Sequence, residues 1–345
     1  MQAISVKPLP ADHADAFSLV QVDDPVAAAN ELLVRVHAVS VNPIDTKMRL
    51  APVRDGSPER ILGWDAAGIV VDAGAQTTRF KAGDRVFYAG SVRRSGTNAQ
   101  LHCVDERLVG RMPTTLGFAD AAALPLTTLT AWEALFEHMH VGGTEFGGAD
   151  DIPRKRSLLI IGGAGGVGSV AIQLASQVPD LTVIATASRP ESANWCRELG
   201  ADAVIDHSGD FADQLKAEGL SGPDYVLMNT APNRYFDSIA DVLAPFGQIC
   251  SIVDSTEPLD PMKLRSKAGA FVWQGMFVRS NLQTTDMAKQ GRILDVASQW
   301  VDQGRLRSTR TTEFGPLTAA NLAAAHQAIE SGRTIGKAVL HWPQD

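Results

Sequence analysis

Two rhythms of apolar residues divide the chain. Up to about residue 110 the apolar runs are short and β-rich, as in ELLVRVHAV (31–39), AAGIVVDAG (66–74) and DRVFYAG (84–90), with Gly, Pro, Asn and Asp between them. That is the pattern of an irregular, mostly β domain. From Ser157 onward a strand is followed by a helix, repeatedly. SLLIIG (157–162) precedes a helix over 166–178, TVIATA (182–187) one over 191–199, DAVI (202–205) a weaker one over 211–218, and YVLMN (225–229) one over 235–243. QICSIV (248–253) follows, and AFVWQGMF (270–277) is the candidate for a last strand. Short apolar strands alternating with amphipathic helices make βαβ units, and so a parallel sheet covered on both faces. The tail holds helices over 287–303 and 319–331 and a strand, KAVLHW (337–342). The fold class predicted is α/β, a doubly wound parallel sheet plus a mostly β domain to which the end of the chain returns.

Composition narrows the picture. The 345 residues suit two domains or one large one, and 45% apolar with 20% charged residues disfavours disorder, collagen-like repetition and a small stapled scaffold. No period of 20 to 50 residues recurs, so solenoids and propellers are excluded. Thirty-one basic against 39 acidic residues leaves a net charge of -8, which argues against a phosphate backbone as the main partner but not against a small anion at a local site. Cys103, Cys196 and Cys250 are scattered and odd in number, so no disulfide framework, zinc knuckle or C-x-x-C motif can be read. A reducing compartment fits. The amino terminus has no basic segment followed by an apolar run and too many acids for a transit peptide, so cytoplasm is the default. The 23 uncharged residues 157–179 have the length of a membrane span. Five glycines in their first half make them a poor one, and no membrane association is expected.

Those glycines have a better explanation. In GGAGGVG, Gly163, Gly165 and Gly168 fit G-x-G-x-x-G, with Ala164, Gly166 and Val167 between them, after an apolar strand and at the start of a helix. In that context the first glycine permits a tight turn, the second lets a pyrophosphate approach the backbone, and the third brings helix and strand together. The helix amino terminus offers unpaired N–H groups to the phosphates. The alternative is a glycine-rich turn without a ligand. An acid about 20 residues on would bind the adenine-ribose hydroxyls of NAD. Here Ser188 and Arg189 stand at the end of the second strand, and the nearest carboxylate is Glu191, beyond Pro190. A hydroxyl and a guanidinium suit the extra phosphate of NADPH, unless Arg189 is only a solvated residue at a helix start.

The chain resembles the medium-chain dehydrogenase/reductase superfamily. Within it, the likeness is to the zinc-free quinone oxidoreductases, especially bacterial proteins called zinc-type alcohol dehydrogenase-like. The motifs are VSVNPIDTKMR (39–49), ILGWDAAGIVVDAG (61–74), FKAGDRVFYAG (80–90), AAALPLTTLTAWEAL (121–135), LLIIGGAGGVGSVAIQLA (158–175), ELGADAVIDH (198–207) and IGKAVL (335–340). The resemblance implies a GroES-like catalytic domain from residues 1–127 and 281–345, a Rossmann domain over 128–280, and nicotinamide in the cleft between them. It also implies a homodimer, pairing through the last Rossmann strand. Zinc-dependent relatives place a cysteine where this chain has Asn42, and a His-Glu pair where it has Trp64 and Asp65. The four-cysteine lobe is missing as well, so no metal site is expected.

Without a Lewis acid to hold an alkoxide, alcohol oxidation is disfavoured, whereas an electron-poor acceptor asks less of the protein. The implied reaction is hydride transfer from NADPH to a quinone or enone, with the cofactor carrying the chemistry. Family positions assign Asn42 and Asp45 to the nicotinamide region and Tyr88 to a pocket where it could donate a proton. The alternatives are a turn at Asn42, a helix cap at Asp45 and ordinary packing for Tyr88. Thr127 and Thr130 match the segment beside the nicotinamide, with helix capping as the alternative. Asn229 and Thr230 end the fourth strand, Ile252 and Val253 the fifth, where doubly wound sheets bind ligands. Met276 and Phe277 match a loop that meets the carboxamide, and Lys337 a cofactor-facing lysine, with a plain surface lysine as its alternative. Two other readings stay open: a zinc-dependent alcohol dehydrogenase, and a non-catalytic NADPH-binding or structural protein. Nucleic-acid binding is disfavoured by the acidic balance and the lack of a basic stripe with interleaved aromatics.

Overall fold

The computed structural model describes residues 1–51, 60–142 and 155–343. The chain divides into two compact units, one from Met1–Leu129 with Phe277–Asp345, the other Thr130–Met276. The first is therefore built from both chain ends.

In the first unit, the amino-terminal stretch gives β1 (Gln2–Val6), β2 (Phe17–Gln21), β3 (Glu31–Val41), α1 (Pro43–Leu50), β4 (Arg60–Ile61), β5 (Ala66–Ala73), β6 (Arg85–Tyr88), β7 (Leu101–Asp105) and β8 (Val109–Arg111). The helices α2 (Phe118–Ala122) and α3 (Pro125–Trp132) follow, the latter running across the dividing point. β1 lies between β2 and β4 in a small antiparallel sheet. The larger sheet has the order β15-β16-β3-β5-β6-β8 with β7 also on β3, where β15 (Arg310–Pro316) and β16 (Lys337–His341) come from the chain's end. β3 pairs with β16, β5 and β7 in turn. Its register to β5 shifts twice, between Leu33 and Val34 and between Val36 and Ala38. Such bulges bend a strand and raise its twist. β16 arrives because Gly336 takes φ +58, and a Cβ there would lie 2.3 Å from the Thr309 carbonyl oxygen. Lys337 therefore starts β16 one residue before Ala338, which pairs with Val41.

The second unit is the doubly wound sheet. Its order is β11-β10-β9-β12-β13-β14, all parallel. The elements are β9 (Arg156–Ile161), α4 (Gly166–Ala175), β10 (Leu181–Thr186), α5 (Pro190–Glu198), β11 (Ala203–Ile205), α6 (Phe211–Ala217), β12 (Tyr225–Met228), α7 (Pro232–Val242), β13 (Gln248–Ser251) and β14 (Ala270–Trp273). Each expected helix begins within three residues of its place. The central strands are buried along their length because helices cover both faces, which is why SLLII and YVLM show no alternation. α7 shows the opposite, burying Pro232, Tyr235, Phe236, Ile239 and Ala240 at helical spacing. Its side chains join Leu159, Val226, Met228 and Ile249 in one apolar cluster. Residues 157–179 form a strand, a turn and a ten-residue helix. Among the described residues no helix is long and apolar enough to cross a membrane.

The chain ends with α8 (Val278–Leu282), α9 (Lys289–Asp302) and α10 (Ala319–Glu330) in the first unit. The short strands β7, β8 and β15 carry no pattern of their own. β7 and β8 form against the longer β3 and β6, and β15 against β16.

Candidate active site

In the second unit β9 hands the chain to β10 on one side while β12 lies on the other. Strand order reverses there, and the carboxyl ends of β9 and β12 frame the crevice in which such sheets bind ligands. The three motif glycines are required for different reasons. A Cβ on Gly163 would lie 2.7 Å from the Ala185 Cβ and 3.1 Å from the Cys196 sulfur, and one on Gly168 would lie 2.4 Å from the Gly162 carbonyl oxygen. Those two serve close packing. A Cβ on Gly165 would meet only the Gly162 carbonyl oxygen, at 3.6 Å, and φ there is -71, open to any residue. Packing therefore does not require a glycine at the amino-terminal cap of α4. The open space there suits close approach of a ligand to the backbone. Gly166 and Val167 begin the helix and are half-buried, Ala164 is buried, and the Thr186 hydroxyl accepts the Gly162 N–H at 2.9 Å to fix the turn.

The other strand ends converge on the same edge. Asn229 follows β12, and both atoms of its side-chain amide are buried with no hydrogen-bond partner among the described residues. Buried polar groups without partners are rare in folded proteins, and here the amide stands where a dinucleotide would supply donors and acceptors. Thr230 beside it is exposed, and Ile252 and Val253 after β13 are half-buried. Ser188 is exposed, and Arg189 caps α5 through its backbone, its carbonyl accepting from the Ala193 N–H at 2.9 Å, with Pro190 at the first helical position. The glycine turn and the unpartnered amide fit a nicotinamide dinucleotide.

The first unit holds a different kind of cluster. Asp65, fully buried, precedes β5 opposite Ser40 of β3. Its Oδ2 accepts from the Ser40 hydroxyl at 2.8 Å, the Asn42 amide at 2.9 Å and the Lys337 ammonium at 3.0 Å, and its Oδ1 from the Leu126 N–H at 2.8 Å. The ammonium also donates to the Val41 carbonyl at 3.1 Å and to Asn42 Oδ1. Lys337 is only 3% exposed and spends all three N–H groups inside the first unit, so it is not a surface lysine. Asn42 has its amide oxygen on Lys337 and its amide nitrogen on Asp65 and the Ser40 carbonyl, so it is a member of the network.

Asp45 does act as a helix cap. Its Oδ2 accepts the Asn42 N–H at 2.6 Å at the start of α1, the carboxyl half of a capping box. Its Oδ1 is buried with no partner among the described residues. Burial pushes this carboxyl up to about 7, with nearby Asp65 adding to the rise and Lys337 opposing it.

Tyr88 belongs to the first unit as well. It is fully buried in β6, and its hydroxyl lies 3.1 Å from His102 Nδ1. His102 Nε2 faces the Ser95 carbonyl at 2.9 Å and so carries the ring proton, which leaves Nδ1 to accept from the tyrosine. Burial raises the Tyr88 hydroxyl far above its ordinary range and lowers His102 to about 4. The hydroxyl proton is committed to His102. Thr127 is buried and donates back to the Leu124 carbonyl at 3.0 Å within α3, and Thr130 is buried in the same helix. Met276 and Phe277 stand beyond β14, the first buried and the second with its ring edge-on to Trp64 at 6.3 Å.

Sequence reasoning passed over a second buried network. In the second unit a π-helical turn over Glu133–His138 presents a buried glutamate, whose Oε2 accepts from Gln274 Nε2 at 2.5 Å, while His138 Nε2 donates to Gln274 Oε1 at 2.7 Å. A lone carboxylate in the apolar run AWEALF was the available signal.

No group of three or more His, Cys, Asp or Glu side chains among the described residues is placed to hold a metal ion. Asn42 and Asp65 already bind an ammonium, and Trp64 gives its indole N–H to the Ser91 carbonyl at 3.1 Å. The three cysteines are buried, and burial pushes their thiols up to about 11 or 12, away from the thiolate a metal needs. These residues do not fit zinc.

Known proteins resemble the chain over its whole length. Residues 28–133 match the alcohol dehydrogenase GroES-like domain and residues 199–340 the zinc-binding dehydrogenase family. A zinc-type alcohol dehydrogenase-like protein of Staphylococcus epidermidis is 38% identical over 330 residues, covering 96% of each chain. Among solved structures, a "zinc-dependent alcohol dehydrogenase protein" of Rhizobium etli CFN 42 is 45% identical with a TM-score of 0.94, covering 100% of this chain and 99% of that one. The quinone oxidoreductase of Coxiella burnetii is 26% identical with a TM-score of 0.80, covering 99% of each. With its two fold units, its glycine turn and these relatives, the chain belongs to the oxidoreductases of the medium-chain dehydrogenase/reductase superfamily.

Proposed function

We propose that the protein is a metal-independent reductase that passes hydride from NADPH to an electron-poor acceptor, a quinone or an activated alkene. The observation that carries this reading is the Lys337 ammonium on Asp65 and Asn42. A cation fixed to the chain already satisfies the oxygen atoms that a metal would need, so zinc stabilisation of an alkoxide has no ligand set to work with. Bound NADPH would supply the hydride, and a proton would complete the reduction at the acceptor. The chain's own part is to bind and orient. The N–H groups of Gly166, Val167 and Gly168 at the amino terminus of α4 face the pyrophosphate, which Gly163 and Gly165 let approach the backbone, and the Asn229 amide, Thr230, Ile252 and Val253 lie toward the nicotinamide. Ser188 and Arg189 take the 2′-phosphate, where an acid would repel it.

Two further statements belong to the same reading. β14 is the edge of its sheet and carries Trp273, 48% exposed, which suits pairing with a second copy of the chain. Three buried, unbridged cysteines suit a reducing compartment, and cytoplasm is the location proposed. The test is a steady-state comparison of NADPH and NADH with quinones, enones and aldehydes on metal-assayed enzyme. Preference for NADPH with quinone or enone turnover and no stoichiometric zinc is the expected result. Stoichiometric zinc with alcohol oxidation would return the protein to the alcohol dehydrogenases. Binding of NADPH without turnover of any acceptor would make it a non-catalytic binding protein.

A further inference from the structure

The buried network around Lys337 is more than an ion pair. Ser40, Asn42, Asp65 and Lys337 are each at most 3% exposed, and they come from β3, the start of α1, the approach to β5 and the first residue of β16. The ammonium has three N–H groups and three oxygen acceptors, the Val41 carbonyl, Asn42 Oδ1 and Asp65 Oδ2. Asp65 in turn accepts four donors, three on Oδ2 and one on Oδ1. A carbonyl, an amide oxygen and a carboxylate converging on one buried positive charge is the donor set of a small hard cation, with the charge supplied here by a side chain.

We propose that Lys337 is a built-in cation: its ammonium holds Asp65 and Asn42 as a bound ion holds oxygen ligands, and a chain lacking it takes up a small N–H-bearing cation from solution at the same point. This deepens the metal-independent reading and rests on it for its bearing on catalysis. The register makes the placement obligatory. Gly336 admits no Cβ, β16 begins at once, and Lys337 lies beside Val41 and Asn42. Truncating the side chain leaves the Asp65 carboxylate, the Asn42 amide oxygen and the Val41 carbonyl facing the space its stem and ammonium filled. Uncompensated buried charge is strongly unfavourable, so a cation that can donate hydrogen bonds is drawn in.

The test is thermal denaturation of Lys337→Ala and the unchanged protein in ammonium, methylammonium and tetramethylammonium chloride at equal ionic strength. Tetramethylammonium carries charge but no N–H. Expected is a lowered midpoint in Lys337→Ala that rises saturably with ammonium and methylammonium, does not rise with tetramethylammonium, and has no counterpart in the unchanged protein. A variant that melts like the unchanged protein overturns the proposal, as does one that all three salts stabilise alike or not at all. Should Lys337→Ala yield no folded protein, the double variant Asp65→Leu with Lys337→Met decides. Removing both charges restores a folded protein if the ammonium's task is to neutralise Asp65, and a double variant that also fails to fold overturns it. Melting is read without turnover, so failure here leaves the hydride-transfer reading to its own experiment.

Discussion

The two polar centres of this protein are opposites. Around Asp65 the inventory of donors and acceptors nearly closes within the chain, four donors on the carboxylate and three acceptors on the ammonium. At the carboxyl ends of β9 and β12 it does not close, because both amide atoms of Asn229 lack a protein partner and Gly165 keeps side-chain volume away from the amino terminus of α4. Both regions carry the motifs by which the family is recognised, so motif content alone does not separate them. Satisfaction does. A closed network is bound to its own fold, and an unsatisfied buried amide beside a helix amino terminus is suited to a ligand.

The comparison is broken most sharply at Asp65. Asp65→Ala leaves Lys337 buried without its carboxylate and should cost about 3–5 kcal/mol of stability by denaturant unfolding, the penalty for uncovering a buried charge. A loss below about 1 kcal/mol, the scale of exposed pairs, would mean the cluster is not closed.

Asp45 is the exception within the closed cluster, with one oxygen lacking a partner, and its signature is in pH. Its carboxyl is held up to about 7 against an ordinary 3.8, so the folded protein binds this proton more tightly than the unfolded chain does. That stability is complete below about pH 4 and is lost as pH rises through about 7, an effect of the order of 4 kcal/mol over the window. His102 and His326, held down by burial to about 4 and about 3, act in the other direction, losing stability as pH falls below about 6.5. Asp45→Asn isolates the first contribution. Relative to the unchanged protein, its unfolding free energy should climb between about pH 4 and 7. A constant difference across that window would remove the assignment.

At the open centre the effects fall on binding. Arg189→Asp should weaken NADPH by about 1.5–3 kcal/mol, the range for hydrogen bonds to charged groups, with a much smaller change for NADH. Equal effects in calorimetric titrations would strip Arg189 of its role. Gly165→Ala should leave melting nearly unchanged, since its Cβ meets only one atom at ordinary contact distance. Its cofactor affinity should fall about tenfold, or about 1.4 kcal/mol. Unaltered affinity would show that no pyrophosphate approaches that point.

Much of the second unit was legible from the chain alone. Its strands are continuous apolar runs because they are buried on both faces, and its helices carry a 3.6-residue period, two local signals that do not depend on distant contacts. The glycine turn was legible for the same reason. In the first unit the long strands β3 and β5 stood out, while β7, β8 and β15 did not, because strands of three to seven residues with mixed polarity are fixed by their neighbours. Asn42, Asp45, Tyr88 and Lys337 could be singled out by family position, yet their states could not. Lys337 is paired because a register set some 300 residues earlier in the chain brings it beside Val41, and Tyr88 is hydrogen-bonded because His102 lies 3.1 Å from its hydroxyl.

The sequence by itself determined the order of elements, the alternation of strand and helix, and the turn that opens toward a dinucleotide, since each is written in consecutive residues. Only the tertiary structure decided which polar side chains are already occupied. Occupancy depends on partners tens to hundreds of residues away, and on burial that turns a lysine, an aspartate and an asparagine into one closed, charge-balanced unit.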